Sequence, residues 1–202
     1  MIVLERITKK YANKTVINNL TLEIPNGDFI VFTGKSGCGK TTILNMIGGL
    51  EKPSEGRIMV DGIDIYKKRN LEEYFTYKVG FLFQNFALVE NKTVRQNLEM
   101  VQKKARTEKS INDVLNEMGI SDLIDTEVYK LSGGEQQRVA IARLMFKQCN
   151  IILADEPTGS LDSGNSEIVL KHLHKLNDEG KTVILVTHDE KIIESEKKVV
   201  KL

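Results

Sequence analysis

A glycine-rich loop, GKSGCGKTT, runs from Gly34 to Thr42 between a β-branched and aromatic stretch, DFIVFTG, and an apolar helical pattern, KTTILNMIGGL. A strand that turns through glycines straight into a helix restricts the chain to folds in which helices cover a sheet. Gly34 through Thr41 satisfies G-x-x-x-x-G-K-[ST] at every fixed position. Gly34, Gly37 and Gly39 allow the backbone to bend so that successive N–H groups face phosphate oxygens. The helix from Lys40 adds its positive N-terminal end. Lys40 is placed to reach β- and γ-phosphates and the Thr41 hydroxyl to sit on Mg²⁺. Lys35, Ser36, Cys38 and Thr42 complete the candidate cradle. An ordinary glycine turn is the plain alternative, and the strand–loop–helix context argues against it.

The rest of the chain alternates in the same way. TLEIP, GRIMV and KVGFLFQ are strand-like. NIILADEP and KTVILVTHD are short apolar runs of the kind buried on both faces of a parallel sheet. Between them SGNSEIVLKHLHKLNDEG has the pattern of an amphipathic helix ending at Gly180. From about Thr93 to Met145 the periodicity is helical and strand signals are few. The expectation is a three-layer α/β protein with a mostly helical insertion. Asp155 and Glu156 close an apolar strand at its C-terminal end, where α/β ligand sites form. One carboxylate there can hold Mg²⁺ through its water shell, and the next can polarise a water attacking a γ-phosphate.

LSGGEQQR, Leu131 to Arg138, opens another helical pattern. Ser132 and Glu135 have the S-x-x-E spacing of a capping box. That leaves Gly133 and Gly134 unexplained, since a helical glycine costs about 1 kcal/mol relative to alanine. Two of them in a first turn imply that something approaches the backbone closely.

Charge excludes little but is informative: 29 Lys+Arg face 28 Asp+Glu. A net charge of +1 gives no reason to expect nucleic acid as a partner. The basic clusters YKKRN and KKAR lack interleaved aromatics and are expected to be solvated faces. Two cysteines, Cys38 and Cys149, are too few for a disulfide scaffold and fit a reducing compartment. MIVLER meets charge too early for a signal peptide, and no apolar run reaches the roughly 20 residues of a membrane span.

Taken in order, these motifs resemble the ATP-binding subunit of ABC (ATP-binding cassette) transporters, over essentially the whole chain. GKSGCGKTT is similar to the family's Walker A, IILADE to its Walker B and LSGGEQQR to its signature. Gln84, GSLD (Gly159 to Asp162) and His188 match its Q-loop, D-loop and switch histidine. The resemblance implies a P-loop NTPase core with a mostly parallel sheet and an N-terminal antiparallel β part. The core would span about 1–84 and 147–202, and an inserted helical subdomain about 85–146. It implies ATP and Mg²⁺ as cofactors. Glu156, His188 and Gln84 would be catalytic, and Thr41, Gln84 and Asp155 would serve the metal. Tyr11 would stack on adenine. The signature would bind the γ-phosphate held by the other subunit of a head-to-tail dimer, through Ser132, Gly133 and Gly134. That dimer would be a homodimer or pair this chain with a similar cassette. A multi-span permease subunit would be the membrane partner, with the chain cytoplasmic and peripheral on the inner face of the cell membrane. NFALVENKTVRQNL is similar to the subgroup of macrolide and antimicrobial-peptide exporters and lipoprotein-releasing complexes, which implies export of a peptide, drug or lipid-linked cargo. With KKVVKL as a last strand, no C-terminal regulatory domain is expected.

Three rivals are weaker. Chromosome-maintenance ATPases share the signature but insert a long coiled coil, and only 115 residues separate Lys40 from Asp155 here. Translation-associated relatives normally carry two cassettes. A non-hydrolysing nucleotide-gated module would commonly lose Glu156. Two smaller expectations concern surfaces. His172 and His174 are expected at the surface, and Cys149 in the core. Phe86, Ala87 and Leu88 are apolar in a loop, so they either contact the membrane subunit or cover the core beneath the helical insertion.

Overall fold

The computed structural model describes residues 1–12, 14–67, 70–159 and 162–202, together with all side chains of these except that of Ser163. Lys68 and Arg69 of the YKKRN stretch and Ser160 and Leu161 of GSLD lie outside the described residues.

Two sheets organise the chain. β1 (Ile2–Tyr11) pairs antiparallel with β2 (Lys14–Ile24) and with β4 (Glu55–Val60), which pairs with the short β5 (Ile63–Asp64). The second sheet is parallel, in the order β6 (Val79–Phe83), β7 (Ile151–Asp155), β8 (Thr182–Val186), β3 (Phe29–Thr33) and β9 (Val199–Lys201). Apolar runs such as TVILV suit this position, because every residue of β8 is buried. Alternate side chains serve opposite cores. Ile152, Ala154, Val183 and Leu185 face the helical side, whereas Ile151, Leu153, Ile184 and Val186 face the antiparallel sheet and α1 (Lys40–Ile47).

The helical stretch is shorter in its elements than the sequence pattern implied. TVRQNLEMVQKKA forms α3 only over Val94–Glu99, opened by a Thr93–Gln96 capping box, and then turns. A short helix, α2 (Asn70–Glu73), passes into a π-helical turn over Tyr74–Lys78 before β6. α4 spans Ile111–Glu117 and α5 spans Gly133–Phe146. α6 (Ser163–Asp178) and α7 (Glu190–Ser195) follow β7 and β8. Helices α3, α4 and α5 bury Leu98, Val114, Leu115, Val139 and Ile141 in one cluster continuous with the sheet. Among the described residues no helix is long and apolar enough to cross a membrane.

Cys149 is buried, as expected. The two helix histidines depart from expectation. His174 is stacked on Phe29 at 4.5 Å and lies 2.9 Å from the Glu196 carboxylate, and both histidines are half-buried. His174 packs its ring on Phe29 of β3, and His172, two residues earlier and on the opposite side of the helix, is only partly covered.

Candidate functional site

Strand register gathers the motifs. Phe83 pairs with Asp155, Asp155 with Val186, and Val186 with Phe32. Four parallel strands therefore end level with one another. The residues that follow them, Gln84, Glu156, Thr187 with His188, and Gly34, meet at one edge of the sheet.

Between β3 and α1 the loop folds as a cradle. Gly39 caps α1 in the left-handed region (φ 104°), where a side chain would be strained and would also strike Val16 and Ile17 of β2. Of the backbone amides from Lys35 to Thr42, Cys38 is the one with an acceptor inside the described chain, the Lys35 carbonyl at 3.2 Å. The remaining N–H groups and the α1 N-terminus form a donor set suited to phosphate. Lys40 Nζ donates to the carbonyls of Gly34 (2.9 Å) and Lys35 (3.3 Å), which keeps the ammonium inside the loop.

The Thr41 hydroxyl donates to Asp155 Oδ1 at 3.2 Å. These are hard oxygen donors of the kind Mg²⁺ takes, so the residues fit that ion. Burial pushes the Asp155 carboxyl above the usual range; Thr41 opposes this and the neighbouring Glu156 charge adds to it. A cation placed there would relieve that cost. Among the described residues the Gln84 side chain makes no hydrogen bond to Thr41 or Asp155; it is exposed, with its amide beside Gly159.

Glu156 has φ 45°, a left-handed conformation that strains a side-chain-bearing residue by about 1–3 kcal/mol and is common at functional sites. Its N–H donates to the Val186 carbonyl at 2.9 Å, and its carbonyl accepts from Gly159 N–H at 3.1 Å. Its Oε2 lies 2.8 Å from His188 Nδ1, while the His188 side chain is largely exposed. The two meet in distance but not in hydrogen-bond direction, so among the described residues Oε2 is buried without a hydrogen-bond partner. Such an oxygen is a ready acceptor for a water or hydroxyl proton.

A cleft of about 360 Å³ joins Val16, Ser36, Lys40, Thr41, Thr42 and Glu156. Tyr11 stands beside it at the end of β1. Its hydroxyl hydrogen-bonds with Glu51 and Lys9 Nζ lies 5.1 Å from the ring centre. Burial first and Glu51 second raise the Tyr11 pKa, and Thr42 opposes them.

None of Ser132, Gly133 and Gly134 lines that cleft. Ser132 caps α5: its N–H and hydroxyl donate to Glu135 Oε2 at 2.8 and 2.7 Å, and Glu135 N–H returns to Ser132 Oγ at 3.4 Å. The Ser132 contacts hold the Glu135 carboxyl below its usual range. The two glycines have different reasons. A Cβ on Gly133 would meet open space, whereas one on Gly134 would lie 2.6 Å from Asn165 Oδ1 of α6. The close approach to Gly134 is thus made by this chain's own Asn165, itself held by Asp162 (2.8 Å) and Arg138 (3.3 Å).

Phe86 and Leu88 pack against the core of the helical side, so they cover that core, while Ala87 is exposed. Ala87 lines a groove of about 380 Å³ with Phe81, Phe83, Met100 and Val101.

Sequence reasoning passed over three polar residues of α5 and α6. Asn165 is one. Gln137 is buried and donates to the Pro157 carbonyl, and Arg143 donates to the carbonyls of Phe86 (2.9 Å) and Ala87 (2.6 Å). Gln137 shares the apolar stripe with Ile141 and Leu144, and a polar residue in such a stripe is a visible signal.

A phosphate cradle, a metal-suited carboxylate and a strained carboxylate–histidine pair at the end of a parallel sheet define a nucleoside-triphosphate-binding α/β cassette. The sequence profile of ABC transporters matches residues 17–159, and the chain belongs to this family. It is 37% identical to the macrolide export ATP-binding/permease protein MacB of Campylobacter jejuni, over 100% of this chain and 33% of that protein. It is 41% identical to the lipoprotein-releasing system ATP-binding protein LolD of Leptospira interrogans, over 91% of this chain and 80% of that protein. The chain thus spans about a third of the macrolide-export relative. The bacterial ABC transporter cassette MJ0796, solved as a dimer, superposes with a TM-score of 0.88 at 37% identity, covering 100% of this chain and 94% of that one. A dimer of the same cassette has also been solved in a post-hydrolysis state bound to ADP and Pi.

Proposed function

We propose that this chain binds and hydrolyses ATP at two composite sites of a head-to-tail dimer and so energises a membrane transporter. The observation that carries this is the separation of two anion-suited features on one chain. The Lys40 cradle lies at the sheet edge, and the Ser132 helix N-terminus lies outside its cleft.

Within the cradle, backbone N–H groups and Lys40 hold the β- and γ-phosphates. Thr41 and Asp155, with Gln84 approaching from β6, hold Mg²⁺, which would offset phosphate charge and orient the γ-phosphate. Glu156 accepts a proton from the attacking water, and His188 leaves its present partner to hydrogen-bond the γ-phosphate. Tyr11 stacks on adenine. Ser132 and the Gly133 and Gly134 amides close the γ-phosphate of the partner chain's ATP. Cross-chain closure would make turnover by the Glu156 base depend on a second subunit.

The apolar groove beside Ala87 suits a short helix of a permease subunit, which would keep the chain peripheral on the inner face of the membrane. Likeness to macrolide-export and lipoprotein-releasing proteins supports export of a peptide, drug or lipid-linked cargo. The core is proposed to span about 1–84 and 147–202, with the helical subdomain at about 85–146.

Glu156→Gln tests the reading. The variant should bind ATP yet turn over slower by on the order of 10²–10⁴, and ATP should shift it to a dimer on size exclusion. Near-normal turnover would remove Glu156 from the base role.

A further inference from the structure

We infer that Arg143 is a positioning residue that aims Gln84, by gripping the turn immediately after it from the far end of the signature helix. The inference rests on the reading above that Gln84 serves the reaction.

Phe86 and Ala87 are both left-handed, at φ 59° and 46°. Two consecutive side-chain-bearing residues in that region are each disfavoured by roughly 1–2 kcal/mol, so something must hold them. Arg143 does: one nitrogen of its fork donates to each carbonyl, at 2.9 and 2.6 Å. A lysine, a point charge on a flexible stem, cannot reproduce that two-pronged grip. Burial alone drives the Arg143 pKa down, with no carboxylate offsetting it. A half-buried cation whose charge is met by two carbonyls of one turn is an expensive way to fill space, and among the described residues those carbonyls accept its hydrogen bonds.

The turn is pinned on one side by Arg143 and on the other by β6, whose last residue, Phe83, is paired with Asp155. Gln84 lies between the two anchors, so its backbone direction is set by both. Arg143 stands eleven residues after Ser132 in the same helix, a rise of about 16 Å. One rigid element thus carries the residue proposed to meet the partner's ATP and the residue that sets Gln84 in this chain's own site. A shift of α5 as Ser132 docks would be delivered to Gln84.

A double-mutant cycle on the 202-residue chain decides the matter, with ATP and Mg²⁺ as probes. Turnover is measured for Gln84→Ala, Arg143→Gln, the double variant and Arg143→Lys, with circular dichroism and thermal melting as folding controls. Arg143→Gln should lower kcat on the order of 10- to 100-fold, the scale of a small misplacement, with KM for ATP changed less than about twofold. Arg143→Lys, reaching one carbonyl, should recover part of the loss. If Arg143 acts through Gln84, the double variant is no slower than Gln84→Ala alone. Multiplying losses in the double variant would overturn the inference while leaving the role of Gln84 intact. Wild-type turnover in Gln84→Ala would overturn both. Failure of both Arg143 variants to fold would make the residue a core brace and would equally end the inference.

Discussion

At the scale of single residues, the site sets stability against chemistry. Asp155 is the sharpest case, because burial raises its pKa. The folded chain then binds that proton more tightly than the unfolded chain, so stability falls as pH rises from about the ordinary carboxylate value of 3.8 through the folded value. Above that window the full cost of a buried charge is present. Asp155→Asn keeps an acceptor for the Thr41 hydroxyl and removes the charge. At pH 7 it should melt higher than the parent, each recovered kcal/mol moving Tm by about 2–4 °C in a domain of this size, while Mg²⁺-dependent turnover is lost. Melting curves from pH 7 down toward 4 should show the difference shrinking. A variant that melts lower than the parent at pH 7 would contradict the account. Glu156 shows the same tension in its backbone, where a strained φ presents a carboxylate oxygen with no hydrogen bond among the described residues.

At the scale of elements, α5 separates two meanings of glycine. Both glycines looked alike in the sequence, and the fold tells them apart: Gly134 yields to Asn165, Gly133 to nothing among the described residues. Gly133→Ala should leave the melting temperature of the isolated chain unchanged or slightly raised, and should depress ATP-driven dimerisation. Gly134→Ala should push Asn165 off Asp162 and Arg138 and lower stability by about 1 kcal/mol, the worth of a hydrogen bond. Thermal melts beside ATP-dependent size exclusion check both; equal destabilisation by the two would remove the distinction. Much of the element plan was legible beforehand, for a physical reason. β7, β8 and α6 declare themselves because a strand buried on both faces must be apolar throughout and a covering helix must be amphipathic. β1 left a weaker trace, since its bulges break the alternation and its outer end, ITKKY, is polar. The π-helical turn at Tyr74–Lys78 and the six-residue α7 were illegible, as each is too short to show a period. The candidate residues at strand ends were legible because register places them; the grip of Arg143 on Phe86 and Ala87 was not, because it joins segments 56 residues apart.

At the scale of the whole molecule, the Ser132 helix N-terminus lies outside the cleft of the Lys40 cradle, and the proposal is that the two complete an ATP site only across a dimer. Two differently broken chains test this most directly. Lys40→Ala lacks the phosphate grip, and Ser132→Arg blocks the approach of the signature. Each homodimer has two damaged sites and should be nearly inactive. A purified heterodimer carrying different tags pairs the intact cradle of the Ser132→Arg chain with the intact signature of the Lys40→Ala chain, restoring one composite site and doubly damaging the other. Its ATPase rate should exceed that of both homodimers and stay below half of wild type if the two sites are coupled. A heterodimer that assembles and binds ATP, yet hydrolyses no faster than either homodimer, would contradict the composite site.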